Sequence, residues 1–215
     1  MCSSDLCGGA ASDARPEQTI SQARTREGDR TIRLFGVEVT DTDLERAARS
    51  VVADARLGRR ASIAFINAHC ANTLYRSSDY CDALAGMDHI YADGIGMRIA
   101  ARAAGIHLQD NVNGTDLFPV LCREAAAAGT SLYLLGARDG VAAAAGARMA
   151  EATPGLAIAG AHHGYIADAA DEARVIEAIN ASAAGILLVA LGVPTQEQWI
   201  VRNRHRLTVP VVIAV

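Results

Sequence analysis

The 215-residue chain is poor in aromatic side chains, which make up 4% of it. Its core must therefore be built from aliphatic residues and alanine, a composition that suits closely packed helices. No apolar run approaches the roughly 20 residues of a membrane span, and no signal peptide is visible. The five cysteines are odd in number and form no C-x-x-C pair, which argues against a disulfide framework or a zinc site. Cys70, Cys81 and Cys122 fall in apolar helical patterns, and we expect them to be buried thiols in a reducing cytoplasm. A net charge of -4 gives no basic footprint, so nucleic acid is not an expected partner. Hydrophobic content of 51% with 20% charged residues and a mean hydropathy of +0.15 are ample for a packed core. The length fits one domain, with or without a small appendage.

Within this frame one stretch stands out, Tyr91-Ala92-Asp93-Gly94-Ile95-Gly96-Met97. A short apolar segment precedes it and an alanine-rich, breaker-free segment follows, so an acid and two glycines sit where a strand turns into a helix. Such turns lie at the carboxyl ends of parallel strands, where ligands bind. Glycine lets backbone N–H groups approach a ligand, and a helix N-terminus favours anions. Asp93 is thus either a ligand-facing carboxylate or an N-cap, and both readings stay open at this point. The turn lacks the third glycine of a dinucleotide fingerprint, since Ile99 stands in its place.

Residues 1–29 are polar and without periodicity, and are expected to be a disordered, partly non-native leader. Residues 31–40 alternate as a short hairpin. Asp41-Thr42-Asp43 precedes the amphipathic helix 44–57 and reads as capping rather than as a metal site. Further strands are expected at 62–66, 89–92, 131–135, 156–161, 185–190 and 209–215. Helices are expected at 70–85, 96–104, 117–128, 140–152, 169–181 and from about 195 to 206. Small polar residues, Asn113-Gly114-Thr115-Asp116, precede the helix 117–128. They are ordinary caps, and equally what a diphosphate or a sugar hydroxyl would meet. Adjacent His162 and His163 cannot easily share one metal, so no metal and no cofactor is expected. Pro194–Trp199 is polar yet carries the one Trp of the chain. Its two glutamines and Glu197 are poor core material, so binding is favoured there, with Trp199 itself either a contact or a packing residue.

The alternation predicts an α/β fold, a doubly wound, mainly parallel, Rossmann-like sheet of about six strands with a short N-terminal hairpin. The turns bearing unusual polar residues converge on its carboxyl edge. That convergence favours a phosphate- or sugar-bearing ligand there.

Six pieces of these turns, in order, resemble the WecG/TagA/CpsF family of bacterial glycosyltransferases. They are Phe65-Ile66-Asn67-Ala68, Ala92-Asp93-Gly94-Ile95-Gly96, Asn113-Gly114-Thr115-Asp116-Leu117, Leu134-Leu135-Gly136-Ala137, His163-Gly164-Tyr165-Ile166 and the run Leu191 to Ile200. The resemblance implies metal-independent, inverting transfer of a sugar, often N-acetylmannosamine, in cell-envelope polysaccharide synthesis such as that of teichoic acid. The donor is a UDP-sugar and the acceptor a polyprenyl-diphosphate-linked sugar. Asp93 matches the family's general base. Asn67, Asn113, Gly114, Thr115, Asp116, Gly136, Tyr165, Gln196, Glu197 and Trp199 are the expected substrate-binding positions. The family also implies a cytoplasmic enzyme held peripherally on the inner face of the membrane by a C-terminal segment, and it leaves room for a homo-oligomer. Phe65, Asn111 and Thr195 stand where many members carry Thr, Arg and Lys, so two cations of the diphosphate site are replaced. Residues 30–215 are expected to be the transferase domain without that membrane-associating segment. The alternatives are a Rossmann-like nucleotide-binding module without transferase activity and, disfavoured by the missing glycine, a dehydrogenase.

Overall fold

The computed structural model describes residues 29–215. The expected leader, apart from Asp29, lies outside these residues. The chain runs β1 (Arg30–Leu34), β2 (Val37–Asp41), α1 (Leu44–Arg56), β3 (Ala61–Ile66), α2 (Ala68–Leu74), α3 (Ser78–Ala85), β4 (His89–Ala92), α4 (Ile95–Ala103) and α5 (Gly114–Ala128). It continues through β5 (Leu132–Gly136), α6 (Val141–Ala152), β6 (Ile158–His162), α7 (Ala169–Ala181), β7 (Ile186–Ala190), α8 (Thr195–Asn203) and β8 (Val211–Ala214). The eight strands of the described residues form one sheet in the order β1-β2-β4-β3-β8-β7-β5-β6. Among them the β1–β2 pair is antiparallel and the other pairs are parallel.

Side-chain alternation explains the two layers of helices. In β3, Ile63 and Phe65 pack into one hydrophobic cluster with Val51, Leu117 and Leu121 of α1 and α5. The intervening Ala64 and Ile66 pack into the other with Tyr80, Leu84, Met97 and Trp199 of α3, α4 and α8. β7 and β8 divide the same way, Leu188 and Ile213 to the first cluster, Val189 and Val212 to the second. A strand buried on both faces reads as an unbroken apolar run, which is how these segments look in the sequence. Register is correspondingly firm, because a slip of one residue would exchange the two faces.

The doubly wound parallel architecture is as expected, with two adjustments. The hairpin does not stand apart: Thr40 of β2 pairs with Tyr91 of β4 and extends the sheet to eight strands. The single helix expected over 70–85 is two helices. Thr73 takes the closing hydrogen bonds of Arg76 and Ser77, and the Ser77 hydroxyl accepts Tyr80 N–H to start α3 afresh. A serine able to cap competes with helix continuation. Cys81, in α3, is only partly buried, whereas Cys70 and Cys122 are buried as expected. The Asp41-Thr42-Asp43 run is divided in function. Asp43 caps α1 by accepting Arg46 N–H at 2.7 Å. Asp41 ends β2, pairing with Arg30 at 2.6 Å and accepting Gln109 N–H at 2.8 Å.

Candidate active site

The carboxyl ends of β3, β4, β5, β7 and β8 open into one cavity of about 530 Å³, well within the range of small-molecule sites. Its lining is mostly apolar, with Phe65, Phe118, Leu134, Val141 and Leu188 among the contributors. Polar groups are few: Asn67, Asp93, Thr115 and Gln196.

Asp93 follows β4 directly. Its backbone N–H donates to Ile66 carbonyl oxygen at 2.8 Å, tying the turn to the end of β3. The N-cap of α4 is Gly94, not Asp93, and it makes no side-chain capping bond. Gly94 takes φ +90°, a conformation that glycine adopts without penalty, and its N–H donates to Asn111 Oδ1 at 2.5 Å. The capping reading of Asp93 therefore falls away, and its carboxylate is left to face the cavity. Burial raises its pKa above the ordinary carboxylate value. The Asn67 hydrogen bond pulls it back down, and the charge of Asp116 pushes it up further.

Asn67 serves two elements with one amide. Its Oδ1 caps α2 by accepting Cys70 N–H at 3.0 Å, and its Nδ2 donates to Asp93 Oδ2 at 3.4 Å.

Three helices of nine residues or more begin at the cavity wall: α5 at Gly114 and Thr115, α6 at Val141 and Ala142, α8 near Gln196. Helix N-termini present N–H groups without intrahelical partners and the positive end of the dipole. Asn113 shapes the first of these starts. It caps α5 by accepting Asp116 N–H at 2.8 Å and donates back to Asp116 Oδ2 at 2.6 Å. α5 thus starts three residues earlier than its apolar pattern, which places Gly114, Thr115 and Asp116 in the first turn.

Gly136 ends β5 with φ +145°, and a Cβ there would sit 2.2 Å from the Ala190 carbonyl oxygen. The residue is glycine because the β5 and β7 ends converge at the cavity floor. Gln196 accepts Gly192 N–H at 3.0 Å and donates to Glu197 Oε1 at 3.1 Å. The loop after β7 is therefore folded onto the start of α8.

The cavity brings together Asn67, Asp93, Gly114, Thr115, Gly136 and Gln196 of the expected positions. Asn113 and Asp116 stand immediately beside it as the cap of α5. Tyr165 is 66% exposed and lies outside the lining. Glu197 is fully buried behind Gln196, and Trp199 packs in the core against a smaller neighbouring cavity. Sequence reasoning passed over Cys70, Phe118, Val141 and Val215, which also line the site. Apolar residues at helix starts carry no signal that separates a cavity wall from core. Among the described residues no Lys or Arg lines the cavity. No three His, Cys, Asp or Glu side chains there converge on a point that could hold a metal.

Residues 32–215 match the model of the glycosyl transferase WecG/TagA/CpsF family. The chain is 31% identical over 152 residues to the N-acetylglucosaminyldiphosphoundecaprenol N-acetyl-beta-D-mannosaminyltransferase of Bacillus subtilis (strain 168), covering 71% of this chain and 57% of that protein. It is 30% identical over 186 residues to the protein of the same description from Bacillus spizizenii (strain ATCC 23059 / NRRL B-14472 / W23), covering 86% and 66%. The chain thus spans 57% to 66% of the length of these curated relatives.

Proposed function

The chain belongs to the WecG/TagA/CpsF family of glycosyl transferases, and from that premise we propose that its cavity carries out inverting transfer of N-acetylmannosamine or a related hexose. The donor is a UDP-sugar. The acceptor is a polyprenyl-diphosphate-linked sugar, in keeping with the N-acetylglucosaminyl-diphosphoundecaprenol in the relatives' descriptions. The observation that carries this reading is Asp93: a half-buried carboxylate at the ligand edge, not spent on capping, held by Asn67 and raised in basicity by burial.

In this reading the acceptor hydroxyl oxygen attacks the anomeric carbon as Asp93 takes its proton. The bond from that carbon to the diphosphate breaks on the opposite face, and its electron pair leaves with UDP. A general base of raised pKa is matched to this task. The negative charge that develops on the leaving diphosphate needs positive potential already in place. With no cation in the lining, the N-termini of α5, α6 and α8 supply it. The apolar wall from Phe65 to Leu188 excludes water and receives the uracil and sugar faces. Gln196 keeps the loop after β7 against the site, and Glu197 and Trp199 act from behind it. Tyr165, exposed and outside the lining, is assigned in this reading to the acceptor rather than the nucleotide.

The enzyme would work peripherally at the inner face of the cell membrane, where its lipid-linked acceptor lies. Among the described residues no helix is long and apolar enough to cross a membrane. A nucleotide-binding module without transfer is the second reading, and the cation-free lining is what favours it.

A thermal-unfolding screen with UDP, UDP-N-acetylmannosamine and NAD, each with and without EDTA, tests the proposal. Stabilisation by the uridine ligands, unchanged by EDTA, is expected, and at about 100 times Kd it amounts to roughly 2.7 kcal/mol. Stabilisation by NAD alone would overturn the donor assignment, and a UDP effect abolished by EDTA would overturn metal independence. Sugar transfer to a lipid-linked acceptor separates the transferase from the binding module.

A further inference from the structure

The helix that follows Asp93 has a solvent face unlike an ordinary one. α4 buries Met97 and Ala101 and turns Ile95 and Ile99 outward, 68% and 63% exposed. Arg98 and Arg102 are exposed on the same side of the helix, and no acid among the described residues engages either. α4 contains no acidic residue at all, although the chain as a whole carries a net charge of -4. Beside it lies a shallow groove of about 230 Å³ to which Ile106 and Leu108 contribute the apolar floor and the four α4 side chains the wall. Single exposed isoleucines are common on proteins. Two of them at i and i+4, flanked by two arginines at i and i+4 that have no acidic partner among the described residues, form a basic amphipathic face.

We propose that this face of α4 is a docking surface for an anionic lipid bilayer. The inference rests on the transferase reading only in asking for a lipid-linked acceptor. Charge complementarity decides the occupant: a basic amphipathic helix lies in the interface plane, its apolar side chains among the acyl boundary and its cations on lipid phosphates. The geometry fits the chemistry next to it. α4 starts two residues after Asp93, so a bilayer held against α4 brings its surface to the edge of the cavity where Asp93 waits. A sugar on a membrane-bound diphosphate then reaches the base without leaving the interface.

Co-sedimentation with vesicles tests this directly. The chain is expected to bind vesicles of mixed phosphatidylglycerol and phosphatidylcholine and not pure phosphatidylcholine, with binding weakened by salt. Arg98→Gln/Arg102→Gln should weaken binding by about 30-fold at low salt, from roughly a factor of five per arginine near an anionic surface. Ile95→Ser/Ile99→Ser should weaken it by about tenfold or more. Both variants should unfold at the parent's temperature, because all four side chains are exposed. Absence of binding by the parent, equal binding to neutral vesicles, or variants that bind like the parent would each overturn the proposal. So would a change of sedimentation velocity in the variants with vesicle binding intact, which would assign the face to a second copy of the chain. The UDP unfolding assay keeps the two readings apart. UDP stabilisation without vesicle binding overturns the surface alone, and vesicle binding without UDP stabilisation supports the surface while overturning the donor.

Discussion

Asn67 places its amide nitrogen 3.4 Å from Asp93 Oδ2 while its oxygen accepts Cys70 N–H at 3.0 Å. One side chain thus joins the start of α2 to the carboxylate at the end of β4. The cap fixes the amide, and the fixed amide orients the carboxylate. Orientation of this kind lets a base meet a substrate proton without reorganising.

Asp93→Asn is the central test. Because Asp93 caps no helix, the change should leave the fold intact and UDP affinity near that of the parent. Single-turnover transfer should fall by about 10²–10⁴-fold, the usual worth of a positioned base. Burial raises the pKa of Asp93 in the folded state, so ionising it costs folded stability. That cost is absent below the unfolded pKa and appears as pH rises through the folded one. The variant should therefore melt at or above the parent at neutral pH and lose that advantage in acid. Turnover within about threefold of the parent, far inside the range for losing a base, would remove Asp93 from the mechanism.

Asn67 can be separated from its capping role. Asp is as good an N-cap as Asn, so Asn67→Asp should keep α2 while removing the amide donor and adding a like charge beside Asp93. Both changes push the Asp93 pKa higher. The acidic limb of the pH–rate profile should move to higher pH, with unfolding almost unchanged. Asn67→Ala should instead cost about 1 kcal/mol of stability through the lost cap. An unmoved pH profile in Asn67→Asp would show that the 3.4 Å contact does not tune the base.

Much of this was legible in the sequence, and the reasons are physical. Strands buried on both faces announce themselves as apolar runs, and the breakers between them mark the turns, so the sheet and its ligand edge follow from pattern. The Asp93 ambiguity did not yield, because a cap and a free carboxylate share the same letters. Only the positive φ of Gly94 and its role as N-cap separate them. Residues 70–85 misled because alanine, leucine and cysteine run through a periodic pattern in which Ser77 competes as a new cap. Glu197 and Trp199 looked like ligand contacts because polar and amphipathic residues are rarely buried, yet both support the loop from inside.

Gly136→Ala probes the cavity floor. The added methyl would lie 2.2 Å from the Ala190 carbonyl oxygen, at a φ of +145° that L residues rarely adopt. β5 and β7 would have to separate where both are buried. A loss above about 3 kcal/mol is expected, or roughly 6–12 °C or more in Tm for a chain of this length, with UDP binding lost alongside. Gly129→Ala is the comparison. Gly129 is the left-handed cap of α5 with no neighbour within 4 Å of an added Cβ, so only the backbone penalty of about 1–2 kcal/mol applies. Equal losses at the two sites would show that the approach at Gly136 is relieved by local movement.

Glu197 offers a pH signature. It is fully buried, its Oε1 accepts Gln196 Nε2–H at 3.1 Å, and its Oε2 has no partner among the described residues. Burial raises its pKa, and the hydrogen bonds from its own backbone and from Gln196 only partly oppose that rise. The folded pKa then lies above the unfolded one, so the folded state binds the proton more tightly between the two values. Stability is greatest below the unfolded pKa and is lost as pH rises through the folded pKa. Glu197→Gln keeps the shape and an acceptor for Gln196 but has no proton to lose. Urea unfolding of parent and variant across acid to neutral pH should give curves that approach one another in acid and diverge upward through the folded pKa, the variant being the more stable. Glu197→Ala should be destabilised throughout, because it leaves a void and unpairs Gln196. Curves for parent and Glu197→Gln that run parallel across that range would mean that Glu197 has the same pKa in the folded and the unfolded chain, and that its burial does not raise it.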